Sequence, residues 1–382
     1  MISYSDYDIT IYLTLSLTSI KNSMTHQSIK NITQLANYLR CNLTFLENAI
    51  SKEYNIIEST ENNKPSDDYI IKENNEIYID KFYIKKKGKT AGFRGVHSIS
   101  DFQLESTLKI LNNYLSTIFL AEDCVHGFIK GRSTKTNAKP HLAKNILLSL
   151  DIKNYFESIS VDMISESLTS LGFQRNIAEN ISNLVTINGH LVQGFCTSPT
   201  IANIVTDSFD KEMIKLCGEN VAYTRYADDL SLSSDKYVPE VNVIEDLMLK
   251  HGFELNKKKT NKAKRGHYQF VTGLTIFDKK TPRIPKKIKR NIKLEVHCIS
   301  KLGYKKHAIR RLKNSNVNYD YKSPEFQHEI NEEIIKTQHR LFGWIHYIMS
   351  VEPIFGKKMY DILIKSKREY ITKEMYLRYY NL

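Results

Sequence analysis

The stretch that decides the fold is Tyr223-Thr224-Arg225-Tyr226-Ala227-Asp228-Asp229-Leu230-Ser231-Leu232. Its two adjacent carboxylates lie between two short runs of residues that favour β-strands. Leucine and serine alternate after the acidic pair, which is typical of a half-buried strand. Two neighbouring carboxylates repel each other, and Asp disfavours strands. Taken alone, the pair therefore fits either a tight turn or a metal site.

A third carboxylate, Asp151, follows the apolar run Ile146 to Leu150. This pattern predicts a buried strand that delivers Asp151 at its C-terminal end. If this strand lies beside the hairpin, all three carboxylates meet. Their repulsion is relieved by hard divalent cations such as Mg²⁺, which prefer oxygen ligands. Two such ions can activate an attacking hydroxyl and stabilise a leaving pyrophosphate, which is the chemistry of nucleotidyl transfer.

The composition is that of a soluble globular protein with a basic end. The 382 residues are 41% hydrophobic and 25% charged, which is enough for two or three packed subdomains. Residues 280–382 contain 23 Lys and Arg against 10 Asp and Glu, so they hold the whole formal charge of +13. A basic module joined to a neutral one indicates nucleic-acid binding, with a merely solvated surface as the alternative.

The five cysteines are scattered without the spacing of a zinc site or a disulfide framework, which favours a reducing compartment. No secretory signal is apparent at the N-terminus. The apolar stretch Ile9 to Ile20 is too short and too rich in Thr and Ser to span a bilayer. We therefore predict a cytoplasmic protein that has no membrane partner.

Hydrophobic spacing predicts the remaining elements. Residues 58–68 are polar and predict a loop. Residues 77–79 and 82–84 predict strands, leading to a hairpin whose basic tip suits phosphate contact or is a simple surface turn. A further hairpin is expected over 270–276. The predicted helices cover 28–50, with a capped turn starting at Thr44 and a possible helix-turn-helix, then 102–119, 158–171, 175–186, 200–217, 243–251, 286–300, 330–349 and 357–367.

In their order and spacing these motifs resemble a reverse transcriptase. Residues 150–156 are similar to its first catalytic motif, Tyr226-Ala227-Asp228-Asp229 to its Tyr-x-Asp-Asp motif, and residues 193–199 to its nucleotide-site loop. Residues 252–259 and 271–274 resemble the next motif and the primer-grip hairpin. Asn137-Ala138-x-x-His141 and Val271-Thr272-Gly273 are similar to bacterial retron reverse transcriptases.

The resemblance implies an α+β fold of the right-hand polymerase type. It implies an N-terminal helical region over 1–68 and fingers over 69–145. An antiparallel palm sheet flanked by helices would lie within 146–279, with fingers elements interleaved at 157–200. A basic, helical, RNA-binding thumb would cover 280–382.

The resemblance also implies roles for individual residues. Asp151, Asp228, Asp229 and the backbone carbonyl of Ile152 would hold two Mg²⁺ ions, or Mn²⁺, and Lys259 would protonate the leaving pyrophosphate. The nucleotide site would contain Arg94 and Lys87 on the triphosphate, Phe156 as the gate against a 2′-hydroxyl, and Gln193 and Gly194. RNA and primer contacts would come from Asn137, His141, Val271, Thr272, Gly273, Lys286, Lys289, Arg290 and Lys293. Phe156 could instead be ordinary core, Asn137 a helix cap and His141 a packed core residue.

For the whole chain, the resemblance implies an RNA-directed DNA polymerase that copies its cognate non-coding RNA into single-stranded DNA from dNTPs. Priming from the 2′-hydroxyl of an internal guanosine would give a branched RNA–DNA. A separate effector protein and a role in anti-phage defence are also implied. Two alternatives stay open: a ribonucleoprotein scaffold that restrains an effector, and a group II intron-type reverse transcriptase.

Overall fold

The computed structural model describes residues 29–51, 54–59, 77–85, 92–313 and 324–365. The chain forms two compact units. The first unit contains Met1–Arg132, Leu148–Leu232 and Tyr237–Lys262, and the second contains Ser133–Leu147, Ser233–Lys236 and Ala263–Leu382. No helix within the described ranges is both long enough and apolar enough to cross a bilayer. Lys87 and the stretch Ile9 to Ile20 lie outside the described residues.

Most strands are short and belong to small sheets. In the described part they are β1 (Tyr54–Ser59), β2 (Ile77–Lys85), β3 (Phe93–Ile99), β4 (Ile146–Asp151), β5 (Thr186–Ile187), β6 (His190–Leu191), β7 (Ala222–Tyr226), β8 (Asp229–Ser234), β9 (Asn261–Lys264), β10 (Phe270–Val271) and β11 (Leu274–Thr275). The largest sheet has the order β7-β8-β4-β9, so the strand that ends in Asp151 lies directly beside the one that begins with Asp229.

Helices make up most of the other regular structure in the described ranges. Within the described ranges they are α1 (Ile32–Leu39), α2 (Leu43–Ser51), α3 (Phe102–Ile118), α4 (Thr134–Ala138), α5 (Val161–Ser170), α6 (Arg175–Leu184), α7 (Ser198–Cys217), α8 (Val241–Lys250), α9 (Lys286–Leu302), α10 (Tyr304–Lys313), α11 (Pro324–Val351) and α12 (Pro353–Lys365). A short 3₁₀ helix, Lys139–His141, follows α4. The mixed α/β class with antiparallel sheets agrees with the prediction.

Several predicted elements differ from the structure in detail. Residues 29–51 contain two helices, in keeping with the possible helix-turn-helix, and α1 ends where Arg40 adopts a left-handed φ of 58°. Thr44 does not cap α2; the Asn42 side chain does, accepting the Phe45 N–H at 2.6 Å. Glu58 and Ser59 belong to β1 rather than to a loop. The two predicted strands at 77–84 are one strand, β2, which pairs antiparallel with β3 to form the expected hairpin.

The second unit has its own core, which explains how a strongly basic sequence folds. Most of its buried side chains come from β10 and β11 and from α9, α10, α11 and α12. Ile292, Val296 and Ile299 on α9 recur at helical spacing and are each at most 3% exposed. Burying this stripe leaves Lys286, Arg290 and Lys293 on the opposite, solvated face.

A half-buried acid, Glu295 on α9, connects three helices of this unit. Its Oε1 accepts from His307 Nε2 and Arg311 Nη1 on α10, both at 3.1 Å, and from Arg340 on α11. Burial alone would raise the pKa of Glu295, but the hydrogen bonds from His307 and Arg340 outweigh it and lower the pKa to about 2. Because the ionised form is stabilised, the carboxylate contributes to stability at neutral pH.

We predict that Glu295→Gln lowers the free energy of unfolding at pH 7 by about 2–3 kcal/mol, since charged hydrogen bonds are lost. The contribution is fully present above the unfolded pKa near 4.5 and is lost as the pH falls toward 2. Urea unfolding at pH 7 and at pH 4 should therefore show a smaller difference at pH 4. Asp361→Asn, which removes an exposed pair with Lys357, is the control and should change little. An unfolding difference that does not depend on pH would contradict this account.

Candidate active site

The two adjacent carboxylates lie at a tight turn, and the segment Cys124 to Gly127 packs against one side of it. Ala227 and Asp228 join β7 to β8, and Ala227 has a φ of 58°. The Arg225 N–H donates to Cys124 O at 2.8 Å, and the His126 N–H donates to Arg225 O at 2.7 Å. A Cβ on Gly127 would lie 2.4 Å from Ala227 N. The segment around Gly127 therefore packs directly against the turn and requires glycine there.

A buried ion pair lies beneath this turn. Arg225 is fully buried, and its guanidinium donates to both carboxylate oxygens of Asp210 on α7 at 2.6–3.0 Å. Its Nη1 also donates to Tyr155 Oη and Asn203 Oδ1, both at 3.0 Å, and to Ala227 O at 3.3 Å. Burial opposes the charge of Arg225, but the Asp210 carboxylate outweighs it and holds the Arg225 pKa above its usual value. Arg225 thus links α7, the residues that follow β4, and the turn between β7 and β8.

Asp151 lies buried beside the turn, as the sequence predicts. The Ile152 N–H donates to Asp228 O at 2.9 Å, which joins the backbone after Asp151 to the turn. Asn256 Nδ2 donates to Asp151 Oδ1 at 2.9 Å, and Lys259 Nζ lies 2.5 Å from Asp151 Oδ2. Both carboxylate oxygens of Asp151 therefore have partners within the first unit.

The three carboxylates influence one another electrostatically. Burial and then the charge of Asp151 raise the pKa of Asp228, against the opposing charges of Lys259 and Arg94. Asp229 is exposed at the surface, but protein atoms surround part of its carboxylate. The resulting desolvation, and then the charges of Asp228 and Asp151, raise the pKa of Asp229 to about 6. The pKa of Lys259 is raised although its desolvation opposes this, because Asp151 stabilises the ammonium. The site has more negative charge than Lys259 neutralises.

The donor set fits a divalent cation, although the side chains do not form a ready-made cage. Within the described ranges, no three His, Cys, Asp or Glu side chains are grouped closely enough to hold an ion. Carboxylate oxygens and a backbone carbonyl are the ligands that Mg²⁺ and Mn²⁺ prefer. The raised pKa values of Asp228 and Asp229 mark a place where added positive charge stabilises the protein. The Lys259 ammonium at present supplies that charge at Asp151.

Of the residues predicted for the nucleotide site, the structure describes all except Lys87. Arg94 is exposed on β3, and its charge acts on Asp228. Phe156 is half-buried, with its ring centroid 6.2 Å from that of Phe128. Gln193 Nε2 donates to Glu157 Oε1 at 2.9 Å. A Cβ on Gly194 would lie 1.8 Å from His97 O, so only glycine fits where this loop meets β3.

Asn137 and His141 lie in the interior of the second unit. Asn137 is 1% exposed and donates to Thr272 Oγ1 at 3.4 Å, while His141 is fully buried, with Nδ1 2.7 Å from Ser233 Oγ. Neither side chain is available for direct contact with RNA bases. For His141 this favours the alternative of a packed core residue. Asn137 lies within α4, whose N-cap is Ser133, so it does not take the alternative role of a helix cap.

The predicted primer-grip segment is a two-residue hairpin between β10 and β11. Thr272 and Gly273 have φ values of 45° and 79°, the positive angles that a type I′ turn requires. Val271 is buried, and Thr272 Oγ1 donates to Thr134 O at 3.2 Å. Val271 thus anchors the hairpin in the core, while Thr272 and Gly273 form its tip.

The predicted basic contacts on α9 divide into two groups. Lys289 is half-buried and pairs with both carboxylate oxygens of Glu352 at 2.9–3.0 Å, so it stabilises the second unit. Lys286, Arg290 and Lys293 are exposed. Their spacing of four and three residues puts them on one face of the helix. This face suits contact with phosphates.

Sequence reasoning did not identify the ion pair of Arg225 and Asp210 or the hydrogen bond from Asn256. Arg225 carried a signal, because a charged residue inside a β-prone run that is expected to be half-buried needs a buried partner. Nothing in the local sequence identified Asp210 as that partner, since the contact depends on how α7 packs against β7.

Comparisons with known proteins agree with this geometry. A family model described as reverse transcriptase (RNA-dependent DNA polymerase) matches residues 84–329. The retron Mx65 reverse transcriptase of Myxococcus xanthus is 34% identical over 174 residues, which are 40% of this chain and 40% of that protein. The retron Ec86 reverse transcriptase of Escherichia coli is 25% identical over 293 residues, which are 76% of this chain and 81% of that protein.

We predict that Arg225→Met lowers the free energy of unfolding by about 3–5 kcal/mol, because it leaves the Asp210 charge buried without its partner. Lys211→Met is the matched control, since Lys211 pairs with Asp207 on the exposed face of α7 and its loss should cost under about 1 kcal/mol. Urea unfolding of the two variants measures both values. Equal losses of unfolding free energy in the two variants would contradict a larger contribution from the buried pair.

A second prediction concerns Asp229, whose folded pKa of about 6 exceeds the ordinary value of 3.8. Any stability from its protonated form is present below pH 3.8 and is lost as the pH rises through 6. In EDTA, Asp229→Asn should therefore raise the thermal midpoint relative to wild type at pH 8, and this gain should shrink toward pH 4. Mg²⁺ should stabilise wild type more than the variant.

Asp278→Asn is the control, because backbone N–H groups of Lys280 and Thr281 lower the pKa of Asp278. Its removal should give no gain at pH 8. If Asp229→Asn were destabilising at pH 8 in EDTA, the repulsion inferred for the three carboxylates would be wrong.

Proposed function

The chain belongs to the reverse transcriptase family, and from this premise we propose that it is a retron-type RNA-directed DNA polymerase. The observation that carries the proposal is the meeting of Asp151 with the Asp228–Asp229 turn. Their strands are neighbours in one sheet. Burial and the Asp151 charge raise the pKa of Asp228, and burial and the charges of Asp228 and Asp151 raise the pKa of Asp229. A site that stores unneutralised negative charge suits a reaction that requires cations and a polyphosphate.

Asp151, Asp228, Asp229 and the carbonyl of Ile152 would hold two Mg²⁺ ions, with Mn²⁺ as a substitute. When bound, these ions supply charge neutralisation at the attacking hydroxyl and at the leaving pyrophosphate. The protein contributes a fixed position for each carboxylate. The Ile152 to Asp228 hydrogen bond sets the spacing of the two strands, and the Arg225 network fixes the turn.

Lys259 is proposed as the proton donor to the leaving pyrophosphate. Its raised pKa keeps it protonated at neutral pH, as a donor must be at the start of the step. It now donates to Asp151, so it must leave that carboxylate before it can serve the phosphate. Arg94 is proposed to contact the triphosphate, in keeping with its electrostatic influence on Asp228. Lys87 stays a predicted second contact.

Selection of deoxynucleotides is assigned to Phe156. Its ring packs beside the rings of Phe128 and Tyr155, with centroid distances of 6.2 and 5.5 Å. A fixed aromatic ring beside the sugar would exclude a 2′-hydroxyl by steric contact. Gln193 and Gly194 would line the same nucleotide, with Gly194 allowing the loop to approach β3.

The proposed template is a cognate structured non-coding RNA, copied into single-stranded DNA. Priming from the 2′-hydroxyl of an internal guanosine would leave a branched RNA–DNA. The exposed cations Lys286, Arg290 and Lys293 are proposed to grip the RNA through its phosphates and shape. The two named retron relatives support this subfamily. We further propose a cytoplasmic role in anti-phage defence with a separate effector protein.

We predict that changing Asp228 and Asp229 together to Asn abolishes DNA synthesis, because the cations lose their ligands. Primer extension on an RNA template with dNTPs and Mg²⁺ measures the activity, and a gel-shift assay measures RNA binding, which should persist. Asp361→Asn, in the second unit, is the control and should leave synthesis unchanged. Full synthesis by the double variant would refute the proposal.

The same double variant also addresses the scaffold alternative. If the protein restrains an effector mainly as a ribonucleoprotein, the catalytically dead chain should still restrain that effector in cells. Loss of restraint together with loss of DNA synthesis supports the polymerase as the working state.

A further inference from the structure

Tyr268, Phe270 and Phe277 are exposed on a short stretch of the second unit that the proposed catalytic roles do not use. They are 85%, 40% and 67% exposed. Aromatic side chains of this size are normally buried, so a group of them at the surface indicates a binding surface. Among these three, Tyr268 and Phe270 contact each other: their ring centroids lie 6.0 Å apart and their planes differ by 10°.

The backbone explains why both rings point outward. Gln269 and Val271 are 8% and 1% exposed, so side chains alternate between interior and surface. Gln269 Nε2 donates to Ala263 O at 3.2 Å, which anchors the chain between the two rings. Tyr268 and Phe270 therefore share the outer face of a fixed segment, and their parallel rings are presented together.

The chain segment that carries the rings is basic. Residues 263–283 contain five Lys and Arg and a single acid, Asp278, which pairs with Arg283. Lys264 and Arg265 are exposed next to the aromatic segment. The Arg265 guanidinium lies 5.1 Å from the centroid of the Phe277 ring, so a cation and an aromatic face are offered together.

We propose that Tyr268 and Phe270 form a platform on which unpaired bases of a single-stranded nucleic acid stack, while Lys264 and Arg265 contact its phosphates. Every base has a flat face, so parallel exposed rings beside cations match this ligand without regard to sequence. A paired duplex hides its base faces from such rings. An acidic peptide would satisfy the cations but would offer no planar groups to the rings.

This inference deepens the proposed function, because the strand bound would be a template or product of DNA synthesis. Binding to the platform, however, needs neither Mg²⁺ nor dNTPs. It can therefore be measured in EDTA, where loss of the proposed catalysis has no influence on the result.

The test is fluorescence anisotropy with the full chain and two labelled strands of equal length, oligothymidylate and an abasic strand that carries the same phosphates. Tyr268→Ala combined with Phe270→Ala should weaken binding of oligothymidylate about 10- to 100-fold. Binding of the abasic strand should stay the same. Tyr268→Phe keeps the ring and should retain affinity for both strands.

Phe102→Ala is the matched control, since Phe102 is 81% exposed and lies in the first unit. It should alter neither affinity. Lys264→Ala should weaken both strands alike, because it removes a phosphate contact. Unchanged binding of oligothymidylate by the double alanine variant, or an equal loss for both strands, would overturn the proposal. The single Tyr268→Ala variant, measured with its thermal midpoint, separates loss of stacking from loss of folding.

Discussion

The ion pair between Arg225 and Asp210 is the interaction on which the rest of the site depends. A charged pair without solvent contact is stable only when its geometry is good and its remaining hydrogen bonds are made. Here the guanidinium donates to Asp210, Tyr155, Asn203 and the carbonyl of Ala227. One side chain thus connects α7, the residues after β4 and the acidic turn. The same contacts that stabilise the first unit also place its carboxylates.

In the acidic turn, unlike in the Arg225–Asp210 pair, the negative charges are not neutralised. Burial and the Asp151 charge raise the pKa of Asp228, and burial with the charges of Asp228 and Asp151 raises the pKa of Asp229. The Lys259 ammonium partly compensates this negative charge. A protein that tolerates this repulsion gains affinity for cations. The hydrogen bonds of Arg225 beneath the turn hold its backbone through the carbonyl of Ala227. The stable Arg225–Asp210 network therefore permits electrostatic repulsion among the three carboxylates, where the proposed chemistry takes place.

Local pattern predicted much of the fold, and long-range packing decided the remainder. The apolar run before Asp151 located β4, helical spacing located α3 and α7, and β-prone runs located the hairpins, because each of these patterns is visible in the local sequence. The turn within 28–50 was anticipated, but its exact place at Arg40 was not, because a left-handed residue other than glycine has no clear sequence signal. The motif order identified Asp151 and Asp228 as neighbours. Burial of His141 and the partner of Arg225 depend on tertiary contacts, so sequence alone left them open.

The central claim is that Asp151 and the acidic turn together bind divalent cations. Titration of Mn²⁺ into the full chain, followed by electron paramagnetic resonance of the free ion, tests this most directly. We expect saturable binding in wild type that weakens at least tenfold in Asp151→Asn, with Asp278→Asn unchanged. Equal Mn²⁺ affinity in wild type and Asp151→Asn would contradict the account.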